Sequence, residues 1–417
     1  MNSPQPGMKR RQFLLRTGLL SLVGGLIPSR FLAGAYGQSP VPTPAPTPTS
    51  GNFCARLKVR PVINAMGSVT FLGGSIMAPA TLGAMADASR EFVVITELLE
   101  QAGEHLARLL GVEAALITTG AAGAITLGTA ACVAGSDREK IERLPDTTGM
   151  KREVILQKSH RNEYETQLRL VGTELIEVET RAQLEAAINE RTAMLFFMNK
   201  ADPFGQIRRG EWVELGRKHG IPTFLDAAAD TPPQEHLSSY SKMGFDLVAF
   251  SGGKSLRGPQ STGLLVGCKD LIDAARHNAS PYDRTIGRAM KVGKEEIAGL
   301  VTAVEQFLVT DHAAEFQQLG TRIHAMGEKL IGLEGVRTEL WVPEIANHVP
   351  HLMVTWDPEV LSLASATVYQ RLLDGEPRVA VRERAPHGVI VSALMLRPEQ
   401  DELVVARLRA VLSQIKS

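Results

Sequence analysis

From about residue 76 the chain alternates short apolar runs with segments in which apolar residues recur at helical spacing. "AALIT" (114–118), "EVILQ" (153–157), "AMLFFM" (193–198), "PTFLD" (222–226) and "DLVAF" (246–250) show no regular polar alternation. Strands covered by helices on both faces read in this way, whereas a strand with one wet face alternates. The segments between them have helical periodicity, as in "EWVELGRKHG", which closes on Gly220; glycine is the usual residue just past a helix end. The rhythm predicts an α/β fold, a doubly wound, mostly parallel sheet over residues 76–294. Beyond it, "KEEIAGLVTAVEQFLVTDHAAEFQQLGTRIHAMGEKL" is a long helical stretch, followed by strands and helices on a smaller scale from "HLMVTW" to "VVARLRAVL". Residues 295–417 are therefore expected to form a smaller α+β domain. No repeat of solenoid period is present.

The first fifty residues follow a different pattern. A basic start around Lys9, Arg10 and Arg11 leads into an apolar run from Thr17 to Ile27 and the small residues Ala33, Gly34 and Ala35. That is the layout of a signal peptide, expected over residues 1–37. The run is too short and too rich in glycine to cross about 30 Å of hydrocarbon comfortably, so no permanent membrane anchor is expected. "RRQFLL" resembles a twin-arginine export signal, which carries proteins already folded and implies a periplasmic destination. "SPVPTPAPTPTS" then predicts an extended linker over 38–50, and residues 51–75 form an arm leading into the sheet.

Composition narrows the functional classes. The chain of 417 residues carries 45 basic and 45 acidic side chains, so nothing draws it as a whole toward nucleic acid. Its three cysteines, Cys54, Cys132 and Cys268, lack metal-site spacing and are odd in number. They read as structural thiols, with no metal expected.

Three loops follow predicted strands, and ligands in such sheets bind beyond the carboxyl ends of the strands. "TTGAAGA" (118–124) offers small residues at a helix start, where unpaired backbone N–H groups would face an anion; a turn of this kind also serves packing alone. "FLDAAAD" ends a strand on Asp226, which can cap the next helix or hold a protonated ring nitrogen. "AFSGGKSLRGPQSTG" (249–263) places Lys254 among glycines straight after a strand. A triphosphate-binding P-loop would need glycine six places before the lysine, and Val248 stands there. A serine-hydrolase elbow at Ser251 would need glycine where Ala249 stands. An amine at the mouth of a parallel sheet can instead condense with an aldehyde, provided its neighbours lower its pKa. Pyridoxal phosphate is the aldehyde that the other two loops would suit.

Together with "RPVINAMGSVTFLGGSIM", "SHRNEYE" and "IGRAMKVGKEE", these motifs keep order and spacing from about residue 57 onward. They resemble the fold type I pyridoxal-phosphate enzymes (aspartate aminotransferase-like), in particular the group of selenocysteine synthase and the D-glucosaminate-6-phosphate ammonia-lyase-like proteins. The resemblance implies that Lys254 is the Schiff-base lysine and Asp226 the partner of the pyridine nitrogen. It implies that Thr119, Gly120, Ala121 and Ser251 hold the phosphate, and that His160 stacks on the cofactor. Glu163 departs from the pattern, since a glycine is expected there. Arg284, Arg288 and Lys291 in "DRTIGRAMK", and Arg382 in "VAVRER", are candidates for binding a substrate anion; a solvated helix face or a surface strand would explain them as well.

The implied reaction is removal of an α-proton from an amino acid or amino-sugar acid, followed by elimination to a keto acid and ammonia. β-Replacement, as in selenium transfer to seryl-tRNA, is the alternative for the same constellation, and an inactive binding protein of the same fold is a further one. The family also implies at least a homodimer, with "RGPQST" (257–262) resembling a loop that completes the neighbour's phosphate site.

Overall fold

A computed structural model describes residues 53–413. The signal peptide expected over 1–37 and the linker expected over 38–50 lie outside the described residues. Among those described, no helix is long and apolar enough to cross a membrane.

The chain enters through a short strand, Ile63–Asn64 (β1), and then builds a seven-stranded sheet. Its strands are Ala114–Thr118 (β2), Glu153–Gln157 (β3), Glu174–Val178 (β4), Thr192–Met198 (β5), Thr223–Asp226 (β6), Leu247–Ser251 (β7) and Gly263–Gly267 (β8). Their order is β2-β8-β7-β6-β5-β3-β4. Strands β3 to β7 pair in parallel, and β8 runs antiparallel to both β7 and β2. Five of these strands are the apolar runs read from the sequence. Strands β4 and β8 were not among them.

The central strands β5, β6 and β7 are buried on both faces because their alternate side chains enter two different cores. Phe197, Leu225, Val248 and Phe250 join one with Trp212, while Phe196, Phe224, Leu247 and Ala249 join the other. The helix Gly120–Ala134 lies on the second face and is buried along most of its length. It comes close because it is built of small residues: a side chain at Gly128 would start 2.5 Å from the Phe224 ring. On the first face, the helix Arg209–His219 stops at Gly220, whose φ of 62° is left-handed, as its glycine required.

A second sheet follows, with strands Val336–Trp341 (β9), His351–Trp356 (β10), Val379–Ala380 (β11), Arg382–Glu383 (β12) and Gly388–Ser392 (β13). Its antiparallel order is β12-β13-β10-β9, while β11 pairs separately, in parallel, with β1. Side chains from the helices His312–Glu328, Ser365–Asp374 and Gln400–Leu412 share its core. The helix Lys294–Val309 does not: Ile297, Leu300, Val304 and Phe307 sit in a core of the large sheet. The boundary expected at 294/295 therefore falls one helix early, and past that helix the second core starts at Leu319.

Candidate active site

The carboxyl ends of β5, β6 and β7 lie side by side, with Met198 in register with Asp226 and Asp226 with Ala249. Asp226 is the last residue of β6 and is buried. One carboxylate oxygen accepts the Ala228 N–H at 2.9 Å. Burial pushes this carboxyl above its usual range, and the Ala228 hydrogen bond and the Lys254 charge only partly oppose that.

Lys254 stands three residues past β7 in a tight turn. The Gly252 N–H donates to the Thr262 carbonyl at 2.8 Å and the Arg257 N–H to the Lys254 carbonyl at 2.9 Å. A side chain at Gly253 would start 2.4 Å from the Gln260 Cα, so the second glycine of "SGGKS" is needed for close approach. Burial pulls the Lys254 amine below the ordinary lysine value. The charges of Asp226 and Asp230 resist this, and those of Lys200 and Arg382 add to it.

Ser251, the last residue of β7, is in register with Gly263 on β8. A side chain at Gly263 would start 2.2 Å from the Gly120 carbonyl carbon and 2.7 Å from the Ala121 nitrogen, so the turn at 118–121 presses directly on this part of the sheet. Gly120 has a φ of +69°, and the position its Cβ would take is open. The helix that starts here has no side-chain cap at Thr119, which leaves the N–H groups of its first turn, and the positive end of its dipole, available to an anion.

Pyridoxal phosphate fits these residues. Asp226 is a buried carboxylate with a single backbone donor, so its other oxygen can accept from a cationic ring N–H, Lys254 is a half-buried amine biased toward the free base, and the open helix start beside Ser251 suits a phosphate.

The other expected residues fall in two groups. Arg382 reaches the site from β12: its Nε donates to the Met66 carbonyl at 2.9 Å, burial pulls its guanidinium down, and its charge is felt at Lys254. His160 is not placed to stack on a cofactor. Its side chain has no exposed surface; Nδ1 accepts the Met198 N–H at 3.2 Å and Nε2 lies 3.1 Å from Gln157 Nε2. The ring packs edge-on against Phe197 at 4.4 Å, and burial pulls its pKa down to about 4. It is a neutral core residue. Arg284 and Arg288 are exposed and pair with Glu142 and Asp283, and neither is brought to Lys254; Lys291 is exposed too.

Sequence reasoning missed three features. Tyr164, in the same "SHRNEYE" motif as His160, is exposed and close enough to Asp226 for that charge, after burial and that of Glu163, to raise its pKa. Lys200, just past β5, contributes its charge at Lys254. Asp230, four residues after Asp226, is buried and accepts a hydrogen bond from Asn199 Nδ2. The same Asn199 nitrogen lies 2.9 Å from the Tyr240 hydroxyl, and Arg209 donates to Asn199 Oδ1 at 3.1 Å. Burial pushes the Asp230 carboxyl up to about 6 against the Asn199 hydrogen bond. The repeat of aspartate in "DAAAD" was the one available signal for this network.

Residues 62–321, more than half of the chain, match the model of the family described as L-seryl-tRNA selenium transferase. The chain belongs to that family. Among individual relatives, it is 31% identical to D-glucosaminate-6-phosphate ammonia lyase of Salmonella typhimurium, over 86% of this chain and 98% of that protein. It is 33% identical to 5'-C-glycyluridine monooxygenase-decarboxylase of a Streptomyces species, over 85% and 91% of the two chains. L-Seryl-tRNA(Sec) selenium transferase of Moorella thermoacetica is 28% identical, over 62% of this chain and 58% of the relative. Of the solved structures, D-glucosaminate-6-phosphate ammonia-lyase superposes with a TM-score of 0.75 at 30% identity, covering 88% of this family member and all of that chain. A structure described as SPT with its pyridoxal-phosphate internal aldimine shares the fold, with a TM-score of 0.54 at 16% identity. The architecture is that of the fold type I pyridoxal-phosphate enzymes.

Proposed function

We propose that this protein is a pyridoxal-phosphate-dependent carbon-nitrogen lyase that takes the α-proton from an amino acid or amino-sugar acid and releases ammonia and a keto acid. One observation carries the reading: a half-buried, down-shifted amine at Lys254 feels the charge of a buried aspartate, Asp226, at adjacent strand ends. Bound pyridoxal phosphate supplies a conjugated electron sink for the carbanion formed at the substrate's α-carbon.

The chain's own residues do the rest. Thr119, Gly120, Ala121 and Ser251 hold the phosphate through the helix start, and Lys254 holds the cofactor through its amine. The Asp226 carboxylate keeps a proton on the ring nitrogen, where its own ionised form gains the cation that burial otherwise denies it. With the substrate bound, Lys254 Nζ is the base that accepts the α-proton, and burial favours the unprotonated form this needs. Arg382 anchors the substrate carboxylate, and Tyr164, rather than His160, supplies the ring beside the cofactor.

Full-length coverage of the ammonia lyase, against 58% of the selenium transferase, favours elimination over replacement. The similar match to a monooxygenase-decarboxylase gives oxidative decarboxylation of an amino acid as the second reading. A homo-oligomer and twin-arginine export to the periplasm complete the proposal; the basic, apolar and small-residue order of the first 37 residues supports the latter.

The test is reconstitution with pyridoxal phosphate, then a screen of amino acids and amino-sugar acids. A visible band that borohydride removes, with ammonia and keto acid formed and no oxygen consumed, is the expected result. Oxygen uptake with carbon dioxide and no ammonia would give the second reading. A band without turnover or α-proton exchange on any substrate would make it a binding protein.

A further inference from the structure

Lys254 lies in the loop 252–262, which joins β7 to β8. Three glycines of this loop serve close packing, and none of them is left-handed. A side chain at Gly252 would start 2.2 Å from Thr262 Oγ1, one at Gly253 2.4 Å from the Gln260 Cα, and one at Gly258 3.0 Å from the Gly252 carbonyl oxygen. The left-handed backbone falls instead on Arg257, at a φ of 55°. A long side chain is uncommon in that region and stays there only where its surroundings hold it.

Two bonds of Arg257 supply that hold. Its N–H donates to the Lys254 carbonyl at 2.9 Å, closing the turn 254–257. Its guanidinium Nη2 donates to Glu315 Oε1 at 2.7 Å. Glu315 stands in the first turn of the helix His312–Glu328, which sends Leu319, Ile323 and Met326 into the second core. The lysine's own peptide is thus linked through one residue to the smaller part of the fold. A glutamate in a first turn suits the helix dipole by itself, and a partly exposed ion pair adds little to stability. Neither explains why arginine, in a loop with three glycines, holds the left-handed position.

We propose that Arg257, held by Glu315, is a positioning residue for Lys254: the pair fixes the left-handed turn and so keeps the amine where it meets the cofactor's aldehyde carbon. In that step Lys254 Nζ bonds to the carbon as the free amine, and both of its protons leave with the aldehyde oxygen as water. A reaction of this kind is sensitive to a misplacement of about 1 Å. The inference rests on Lys254 as the lysine that holds pyridoxal phosphate and not on elimination, and its test needs no substrate.

The experiment uses the full-length protein freed of cofactor, and two probes. Pyridoxal phosphate reports the rate at which the visible band forms. Pyridoxine phosphate, with an alcohol in place of the aldehyde, cannot react with the lysine, so calorimetry with it reports the affinity of the cradle alone. Arg257→Gly accepts the left-handed backbone but loses the ion pair, and Glu315→Ala loses the pair from the other side. Each should slow band formation at saturating pyridoxal phosphate by at least about tenfold, while pyridoxine phosphate binds within about twofold of wild type. Arg257→Lys should recover most of the rate, and the double variant should be within about twofold of the slower single one. The proposal is overturned if neither single variant slows the band, even with a lowered Tm, or if the two effects multiply in the double variant. It is overturned too if Arg257→Gly weakens pyridoxine phosphate where Glu315→Ala does not, which would assign Arg257 to a phosphate. A wild type that forms no visible band would overturn the cofactor reading itself, and this proposal with it.

Discussion

At the scale of single residues, the site rests on charges held where water does not compensate them. Replacing Lys254 by alanine removes both the cofactor's attachment and the base, so the borohydride-sensitive band should vanish and turnover should fall by at least about a thousandfold. Asp226→Asn keeps the shape but not the charge; the band should persist while turnover drops by about a hundredfold. Asp230 gives a prediction for the cofactor-free protein. Its carboxyl is raised to about 6 by burial, from an ordinary value near 4. The folded state therefore holds this proton more tightly than the unfolded chain does, and the stability it contributes is present below about pH 4 and lost as pH rises to about 6. Tm curves of wild type minus Asp230→Asn, followed between those limits, should show that fall; a flat difference would contradict it. The positions of Asp226 at the end of one strand and Lys254 just past another were legible in the sequence, because each follows an apolar run. His160 was not, because which way a side chain turns after a strand depends on the short helix Lys158–His160, and there the ring turns into the core beside Phe197. Tyr164, four residues on, carried no separate signal.

At the scale of elements, the cofactor cradle depends on glycines that let β8 meet the start of the helix Gly120–Ala134. Gly263→Ala would drive a methyl to 2.2 Å from backbone atoms of Gly120, which cannot yield as a flexible side chain does. Gly120→Ala meets no atom and has only its left-handed φ to bear, about 1–2 kcal/mol. Overpacking at Gly263 should cost about 1–3 kcal/mol and displace the phosphate-binding N–H groups as well. The expected outcome is that Gly263→Ala weakens pyridoxal-phosphate affinity more than Gly120→Ala does, measured by cofactor titration alongside Tm. Periodicity exposed β3, β5, β6 and β7 because each is apolar on both faces. It missed β4, whose Glu174 and Glu177 are exposed at the sheet edge beyond β3, and β8, a short run between glycines whose strand character comes from its two neighbours.

At the scale of the whole molecule, the sequence showed two cores but not which helices belong to each, since helical spacing records that a face is buried and not what buries it. The helix Lys294–Val309 is the example: it follows the large domain in sequence and packs into it. The same scale carries the expectation of a homo-oligomer. Phe71, Ile76, Leu82, Phe92, Val93 and Val94 are all exposed within one 24-residue stretch that runs from the end of the arm toward the large sheet, and Phe92 is as open as in an extended chain at 101%. Soluble monomers rarely expose large contiguous apolar patches, and such patches mark interfaces. If two copies bury this stretch against each other, a charge in it should separate them without unfolding either core. Phe92→Glu should therefore convert a dimer or larger species to a monomer in sedimentation while far-UV circular dichroism is unchanged. Should the neighbour's "RGPQST" loop also help to hold the phosphate, the monomer will lose pyridoxal phosphate at concentrations where wild type retains it. Retention of the visible band by a proven monomer would instead make each chain's site complete in itself.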